Sequence, residues 1–547
     1  MSMSGNIRRS VAVAVTVVLA LLLASRTTGA TAATTPATPA APATPAAPTA
    51  PARPNIIFFL VDDMSADLLP YMDTVRGLAD GGTTFTDYYV SDSLCCPSRA
   101  TMFTGQFPHN TGVRTNQGYD RGGYQAFAKH EGRTYAVPLH EAGYRTGYLG
   151  KYINEYPARP GYQVPPGWDE WHVSAGGGYN EFRYQLTRYI KEKSGARRPI
   201  TPSKGTYLVD ELGRRATAFI ERSREYAPGR PFFLQVSPFS PHNRVDVKPG
   251  DTEPRFPPAP RDRPKERFPA GEFPHGDCGG PDCDTIDVTP LPAFDEDTAD
   301  KPSWVRREPI GAKRVKELRE DFRDRIRMVQ SVDDMVGRVL STLTERERAN
   351  TYVVFASDNG FHLGQHRLVR GKSTAYDHDV RVPLLVKRPA TGQHDRLVSN
   401  AIAQNVDLFP TFLDMAGIAP ATRDSRDGRS LLPLIEGRQV TDWRQAALVE
   451  HVRPDPRTPG KPDPDADRLK KGNAQPPTYN AVRTAGELYV EYEGDPKPEY
   501  YDTVTDPRQE SNAPGNTRTA YLAKVLQGLT TCGRPGAPDC WTAAHLR

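Results

Sequence analysis

Three stretches of the chain are apolar almost without a break, and each is followed closely by polar residues. They are NIIFFLV at 55–61, PFFLQVS at 231–237 and TYVVFAS at 351–357, with a weaker fourth stretch, YRTGYLG, at 144–150. Unbroken runs of this length are typical of strands that are buried on both faces of a mainly parallel sheet. The pattern therefore predicts four strands in the interior of a sheet.

Helical patterns lie between these runs. The clearest extends from about Lys313 to Glu347, where apolar residues recur at helical spacing: Val315, Leu318, Phe322, Ile326, Val329, Val336, Val339 and Leu343. Strands that alternate with helices predict an α/β fold.

In open α/β sheets, ligands bind beyond the carboxyl ends of the strands. The residues that the four runs bring to that edge are Asp62, Asp63, Lys151, His242, Asp358 and Asn359. Taken singly, each of these residues can be explained as part of a helix cap, a turn or the solvated surface. Complementary groups from four separate segments favour a shared site instead. Three carboxylates and an amide oxygen suit a hard cation, Ca²⁺, Mg²⁺ or Mn²⁺, rather than Zn²⁺. The positive residues beside them suit an anionic substrate.

The beginning of the chain predicts export. Arg8 and Arg9 precede an apolar run at 11–24, and the small residues at 30–32 offer a cleavage site, so residues 1–32 are predicted to be a signal peptide. The run is too short to span a bilayer comfortably, and no stable membrane insertion is expected. Residues 33–54 carry a proline at every third position from Pro36, which favours a polyproline II linker. We expect a secreted protein.

Composition adds little to this picture. The net charge of +4 and the charged fraction of 25% belong to an ordinary soluble protein without a basic tract, so no nucleic-acid partner is expected. Four of the six cysteines form tight local pairs, Cys278 with Cys283 and Cys532 with Cys540. In an exported chain these pairs predict two short disulfide-closed loops.

The two remaining cysteines, Cys95 and Cys96, lie in the stretch SDSLCCPSRATMFTG at 91–105. Pro97 suits the first residue of a helix, and Gly105 suits the residue that ends it. Position 95 is therefore expected just before a helix N-terminus, where backbone N–H groups favour anions. A thiol there can serve as a nucleophile or in a redox pair. Spacing alone leaves these alternatives open.

The same stretch resembles the signature of type I sulfatases, C-x-P-S-R followed by T-G. Further landmarks of that family follow in order along the chain. They are FFLVDD, GYLGKY, SPFSPH, SDNGFHLGQH and GKSTAYDHDVRVPLLV, and then a tail, AVRTAGELYVEYEGDPKPEYYDTVTDPRQESN, that resembles the family's small C-terminal sheet. The similarity covers essentially all of residues 55–520.

This resemblance implies an α/β fold of the alkaline-phosphatase-like kind, with a large mixed sheet between helices. It places a catalytic domain at 55–441 and a smaller C-terminal α+β subdomain at 442–547. It also implies that a formylglycine-generating enzyme converts Cys95 to formylglycine, whereas Cys96 fills a variable position. The implied metal is Ca²⁺, and its implied ligands are Asp62, Asp63, Asp358, Asn359 and the formylglycine at 95.

The resemblance also implies roles for the remaining site residues. Arg99 would hold the formylglycine, Lys151 and Lys372 would bind the sulfate oxygens, and His242 would act as a general acid/base. Hydrated formylglycine is a geminal diol, of which one hydroxyl attacks sulfur and the other expels sulfate. One departure is Ile153, which fills the place of the histidine in the family's G-K-W-H pattern. That histidine's role either passes to Asn154 or is lost.

The segments GKYINEY, PPGWDEW and FPHNTGV look most like those of N-acetylglucosamine-6-sulfatases and their extracellular heparan-6-sulfatase relatives. A sulfated sugar or an aryl sulfate is therefore the expected substrate. The alternatives are a generic arylsulfatase and a phosphonate or phosphodiester hydrolase of the same superfamily. A more remote alternative is an inactive sugar-binding protein, which would have lost Cys95, Arg99 or a metal ligand, and none of these is lost.

Overall fold

The computed structural model describes residues 53–117, 122–157, 163–192, 198–200, 206–245, 253–260, 286–389, 395–419, 426–454 and 476–546. The predicted signal peptide, most of the predicted linker and the predicted Cys278–Cys283 pair lie outside these residues.

The described residues form two main sheets and one small strand pair. The strands are, in chain order, β1 (Asn55–Val61), β2 (Gly82–Phe85), β3 (Tyr88–Tyr89), β4 (Arg145–Gly150), β5 (Glu170–Gly176), β6 (Gln185–Ile190), β7 (Arg198–Ile200), β8 (Phe232–Ser237), β9 (Thr351–Ser357), β10 (Leu384–Lys387), β11 (Leu397–Ser399), β12 (Ala403–Gln404), β13 (Ala446–His451), β14 (Tyr479–Thr484), β15 (Glu487–Tyr492) and β16 (Glu499–Asp502).

The α-helices of the same residues are α1 (Asp73–Arg76), α2 (Cys95–Thr104), α3 (Pro108–Thr111), α4 (Gly123–Phe127), α5 (Ala136–Glu141), α6 (Leu208–Tyr226), α7 (Ala312–Ser341), α8 (Glu345–Ala349), α9 (Asp377–Val380), α10 (Leu408–Met415), α11 (Leu432–Ile435), α12 (Thr519–Thr531) and α13 (Cys540–Ala543). Short 3-10 helices lie at Ala66–Tyr71, Gly77–Ala79, Ala128–Arg133, Gly178–Asn180 and Asn405–Asp407. None of the helices described here is long and apolar enough to cross a bilayer.

The large sheet has ten strands in the order β11-β2-β10-β9-β1-β8-β4-β5-β6-β7. Its centre, from β9 to β5, is parallel throughout. Antiparallel strands flank this centre, with β10 beside β9 on one side and β6 beside β5 on the other. The predicted large mixed sheet is therefore confirmed, and all four predicted strands lie in its parallel centre.

Strand β1 shows why the predicted runs lack alternation. All seven of its residues are buried. Ile56, Phe58 and Leu60 belong to the hydrophobic cluster on one face of the sheet, which also includes residues of α2 and α10. Their odd-numbered neighbours belong to the cluster on the other face, with α6 and α7. Because both faces are covered by helices, the strand needs apolar side chains at every position.

Two helix predictions need correction at their ends. The helix predicted up to Glu347 stops at Ser341, because Thr344 caps a new helix, α8, through a reciprocal capping box with Glu347. Helix α2 starts at Cys95 and not at Pro97, so position 95 is the first helical residue. Gly105 ends α2 in the left-handed conformation, with φ +66°, as predicted.

The C-terminal part of the chain forms the second sheet. Strands β13 to β16 make a four-stranded antiparallel sheet in chain order, and α12 packs against it. A disulfide joins Cys532 and Cys540, which confirms that predicted pair. The boundary drawn before residue 442 stays a prediction.

Candidate active site

The carboxyl ends of four neighbouring parallel strands bring the predicted site residues together. Asp62 and Asp63 follow β1, and Asp358 and Asn359 follow β9 beside it. Lys151 follows β4, and His242 lies five residues beyond β8. Neighbouring parallel strands end at the same edge, so the topology explains why residues so distant in sequence meet.

Direct hydrogen bonds join the ends of β1 and β9. The backbone N–H of Asp63 donates to Asp358 Oδ1 at 3.1 Å, and Asn359 Nδ2 donates to Asp63 Oδ1 at 2.7 Å. Asp63 takes a left-handed conformation, with φ +61°. Such a conformation is uncommon for a residue other than glycine, and it is found at sites where surrounding contacts enforce it.

Cys95 lies against these carboxylates at the N-terminus of α2. Its Sγ is 3.6 Å from Asp62 Oδ1 and 4.0 Å from Asp63 Oδ1. One candidate ligand atom from each of Asp62, Asp63, Cys95 and His242 lies within 4.8 Å of all the others. Cys95 and both aspartates are 0% exposed. The structure therefore places the signature cysteine within the same buried cluster as the acidic residues.

Two lysines form ion pairs with the two aspartates that follow β1. Lys151 Nζ donates to both carboxylate oxygens of Asp62, at 2.9 and 2.7 Å. Lys372 Nζ donates to Asp63 Oδ1 at 2.6 Å and to Cys95 Sγ at 3.0 Å. Lys372 therefore contacts residue 95 directly, and Lys151 binds the carboxylate of Asp62, which Cys95 also approaches.

Arg99 lies one helical turn beyond Cys95 and holds the end of β9. Its Nε donates to Asp358 Oδ2 at 2.7 Å, and its Nη1 donates to the carbonyl oxygen of Lys151 at 2.8 Å. Its Nη2 is 3.9 Å from Asp62 Oδ1. The guanidinium thus links three strand ends, while its expected contact with a formylglycine stays a prediction.

Burial and neighbouring charges act in opposite directions on the pKa values of Asp62 and Asp358. Burial raises the pKa of Asp62 to about 7, although Lys151 opposes the rise. Burial also acts to raise the pKa of Asp358, but the charges of Arg99, Lys151 and Lys372 outweigh it and hold the pKa below its ordinary value. The two carboxylates thus differ in the direction of their pKa shifts, although both are fully buried.

His242 has protein partners at both ring nitrogens. Nδ1 lies 2.7 Å from the carbonyl oxygen of Asn243, so Nδ1 carries a proton and donates it. Nε2 lies 3.3 Å from Asp63 Oδ2 and 3.5 Å from Lys372 Nζ. Nε2 is therefore the nitrogen that faces the cluster and can exchange a proton there.

The residues present fit a divalent cation. Asn359 Oδ1 is buried and has no hydrogen-bond partner among the described residues, and Asp63 Oδ2 is buried beside His242 Nε2 at 3.3 Å. Buried oxygens of this kind are rare unless an ion or a water satisfies them. Together with the oxygens of Asp62 and Asp358 they form a hard donor set, as Ca²⁺, Mg²⁺ and Mn²⁺ prefer.

A cleft of about 300 Å³ adjoins the cluster at Lys151, which is one of its lining residues. The described walls also include Asn116, Gln117, Asn154, Glu155, Tyr156 and Tyr179. Ile153, at the place of the family's histidine, is 3% exposed and packs in the core. Asn154 accepts a hydrogen bond at Oδ1 from the Tyr179 hydroxyl, at 3.2 Å.

Sequence reasoning missed two residues that contact the site. Arg325 Nη2 donates to the carbonyl oxygen of Asp63 at 2.5 Å from the buried face of α7. Its spacing from Phe322 and Val329 places an arginine on the apolar face of the predicted helix, and this signal could have found it. Tyr179 contacts Lys151 and His242 from a glycine-rich turn, and no pattern in the sequence singles it out.

Comparisons with known proteins agree with this arrangement. A family model described as Sulfatase matches residues 54–418. The chain is 35% identical over 407 residues to a Drosophila melanogaster protein named extracellular sulfatase SULF-1 homolog, over 73% of this chain and 33% of that protein. It thus spans about a third of the length of that relative. It is 29% identical over 518 residues to the Homo sapiens N-acetylglucosamine-6-sulfatase, over 90% of this chain and 86% of that protein.

One similar solved structure is described as a complex with its substrate, D-glucosamine-2-N,6-O-disulfate. It superposes with a TM-score of 0.63 at 22% identity, over 89% of this chain and 99% of that chain. At this identity the likeness concerns the fold, and it confirms the predicted architecture.

Proposed function

Because this chain belongs to the sulfatase family, we propose that it is a secreted hydrolase of sulfate monoesters, with the 6-O-sulfate of N-acetylglucosamine units as its substrate. The observation that carries the proposal is the buried cluster in which Cys95 meets Asp62, Asp63, Lys151 and Lys372. Such a cluster combines a nucleophile position with a cation site and two positive charges for an anionic group.

The proposed cation is Ca²⁺, with Mg²⁺ and Mn²⁺ as alternatives, and the residues that would hold it are Asp62, Asp63, Asp358, Asn359 and the modified residue 95. A cation bound there supplies Lewis-acid chemistry, which lowers the pKa of a neighbouring hydroxyl and offsets negative charge on sulfate. The buried oxygens of Asp63 and Asn359, of which Asn359 Oδ1 makes no hydrogen bond to the described residues, support this assignment.

The proposed nucleophile is formylglycine, made from Cys95 by a formylglycine-generating enzyme. Its hydrate supplies two hydroxyls, one that attacks sulfur and one that later expels sulfate. The position of Cys95 at the N-terminus of α2 supports this role, because the N–H groups of the first turn favour negative charge.

The chain's own residues supply charge and a proton acceptor. Lys151 and Lys372 would exchange their aspartate partners for the sulfate oxygens, so each keeps an anionic partner throughout. His242 would take a proton at Nε2, since Nδ1 is fixed as a donor to Asn243. Arg99 would keep Asp358 ionised and oriented. Cys95, Arg99 and the expected metal ligands are all present in the sequence, which argues against an inactive sugar-binding protein.

Secretion and the sugar substrate rest on the sequence and on the relatives. The first 32 residues have the pattern of a signal peptide, and the Drosophila relative is named an extracellular sulfatase. The human relative is named for N-acetylglucosamine 6-sulfate, and it aligns with most of this chain.

A turnover panel tests the proposal. The exported protein and its Cys95→Ala variant are assayed with 4-nitrophenyl sulfate, N-acetylglucosamine-6-sulfate and a bis-nitrophenyl phosphodiester, before and after chelation. Mass spectrometry of the peptide 91–99 reports on the modification. We expect sulfate release that needs Cys95 and the cation, together with the mass of an aldehyde at 95. Preference for the phosphodiester would support the alternative hydrolase, and full turnover by Cys95→Ala would contradict the proposed nucleophile.

A further inference from the structure

A second cluster of candidate metal ligands lies outside the candidate active site. One ligand atom from each of His362, His378 and Asp379 lies within 4.8 Å of both others. His362 comes three residues after Asn359 in the loop that follows β9, and the other two residues belong to α9. Neither the proposed function nor the expected cation site uses any of these three side chains.

Hydrogen bonds orient the carboxylate of Asp379. Its Oδ2 accepts from the Thr374 backbone N–H at 3.1 Å and from the Thr374 hydroxyl at 2.7 Å. His362 Nδ1 lies 3.0 Å from Oδ2 and 3.1 Å from Oδ1. Burial acts to raise the pKa of Asp379, but the neighbouring histidines and these hydrogen bonds hold it below its ordinary value. The carboxylate is therefore ionised and fixed in place, as a metal ligand requires.

His378 supplies a ring nitrogen that makes no hydrogen bond. Its Nε2 lies 3.8 Å from Asp379 Oδ1, which is too long for a hydrogen bond, and it is buried without a partner among the described residues. Burial lowers the pKa of His378 to about 4, so the ring is neutral near neutral pH. A buried polar atom of this kind is rare unless an ion or a water meets it. The side chain is 15% exposed, so an ion can enter from its side.

The spacing of the donor atoms suits one small ion. With bonds of about 2.0–2.1 Å, two ligands of a tetrahedral Zn²⁺ lie about 3.3 Å apart. Asp379 Oδ1 is 3.1 Å from His362 Nδ1 and 3.8 Å from His378 Nε2. A third imidazole, that of His366, lies beside His378 with ring centres 5.2 Å apart, and burial lowers its pKa as well. The ring of His366 is therefore neutral and does not repel a cation.

We propose that His362, His378 and Asp379 form a second metal site, which takes a transition ion of the Zn²⁺ class through two imidazole nitrogens and one carboxylate oxygen. Imidazole nitrogens favour such ions, whereas the oxygen donors of the candidate active site favour Ca²⁺. Three protein ligands leave a fourth position for water. His362 binds the ion through Nδ1, so the proton of its neutral ring lies on Nε2 when the ion is present.

An ion at this site would brace the segments that carry Asn359 and Lys372. His362 follows Asn359 closely, and it exchanges two backbone hydrogen bonds, of 2.7 and 3.1 Å, with Gly371, the residue before Lys372. Coordination by Asp379 then joins both segments to α9. The ion would therefore stabilise the surroundings of the active site without contacting the substrate.

Isothermal titration with ZnCl₂ tests the site. The exported protein is stripped with a chelator and then titrated in excess Ca²⁺, so that the expected Ca²⁺ site is filled. Wild type should bind one Zn²⁺ per chain, and its Tm should rise with the bound ion. His378→Phe keeps an aromatic ring but removes the ligand, and it should raise the Kd by at least about 10- to 100-fold, the cost of losing even a partner outside the ligand shell.

His140→Gln is the matched control, because it removes another histidine that pairs with an aspartate. His140 Nε2 lies 3.2 Å from Asp169 Oδ1, outside the cluster, and the side chain is 32% exposed. This variant should bind Zn²⁺ as wild type does. Cys95→Ala should also bind one Zn²⁺, which separates the new site from a thiolate in the candidate active site. The Tm of each variant without metal shows that it is folded, and His378→Asn replaces His378→Phe if the larger ring prevents folding.

Absence of Zn²⁺ binding by wild type in excess Ca²⁺ would overturn the second site. An unchanged Kd in the folded variant at position 378 would do the same. Binding that disappears in Cys95→Ala would place the ion in the candidate active site and would equally contradict the proposal. The titration needs no turnover, so its result does not depend on whether the protein releases sulfate.

Discussion

Replacing Lys372 with methionine should strengthen cation binding while turnover is lost. Lys372 Nζ donates to Asp63 Oδ1 at 2.6 Å, and both side chains are at most 1% exposed. Asp63 is an expected metal ligand, so the ammonium group and a divalent cation compete for one carboxylate oxygen. A hydrogen bond to a charged group contributes about 1.5–3 kcal/mol. At about 1.4 kcal/mol for each factor of ten, removing the competitor should lower the Kd for Ca²⁺ by about 10- to 150-fold.

Isothermal titration of chelator-stripped protein with CaCl₂ measures this change. Lys191→Met is the matched control, since Lys191 is 54% exposed and pairs with Asp169 at 3.1 Å, outside the site. Its Kd should equal that of wild type. Unchanged or weaker Ca²⁺ binding by Lys372→Met, in protein with the Tm of wild type, would refute the competition. Turnover should still disappear, because a sulfate oxygen loses its positive partner.

The other predictions concern residue 95, a buried acid and the disulfide. Cys95→Ser should accept sulfate but fail to release it, giving a stalled adduct by intact mass, whereas Cys96→Ser should keep most activity. Burial raises the pKa of Glu181 to about 8 from 4.5, so the native state binds a proton that the unfolded chain has released across that interval. The free energy of unfolding should therefore fall as pH rises from 4.5 to 8, and Glu181→Gln should reduce this pH dependence. Urea unfolding at several pH values measures it, and an unchanged pH dependence would contradict the prediction. Replacing Cys532 and Cys540 with serine should lower the free energy of unfolding by about 2–3 kcal/mol, as expected for so short a loop, and no loss in denaturant unfolding would argue against it.

The sequence predicted the strands and the edge of the site because burial on both faces demands unbroken apolar runs. Strand β1 and its neighbours β8 and β9 meet that demand, so the order of runs and polar residues along the chain was enough to bring the site residues to one edge. The same rule could not find Tyr179, since its turn is neither a strand nor an α-helix and its partners are distant in sequence. Loop residues of this kind become visible only when packing is known.

The pairing of lysines with aspartates was also outside what the sequence could predict. The family pattern assigns Lys151 and Lys372 to a substrate, but in the structure each already has an anionic partner. A buried lysine without such a partner would be strongly destabilising. The need of a buried lysine for an anionic partner is therefore general. The choice of Asp62 for one lysine and Asp63 for the other depends on side-chain geometry.

The burial of Cys95 constrains the order in which the proposed enzyme matures. The thiol is 0% exposed, at the start of a helix whose ten residues are all buried. A modifying enzyme has to hold the stretch around residue 95 in its own active site, and it cannot do so once α2 is packed between the sheet and α10. In the proposed enzyme, conversion of Cys95 would therefore have to precede folding. Lys151 and Lys372 then allow the modified chain to close before a cation arrives, because they neutralise Asp62 and Asp63 in the meantime. In the proposed enzyme the two lysines would thus have successive partners, first the aspartates during folding and afterwards the sulfate oxygens of the substrate.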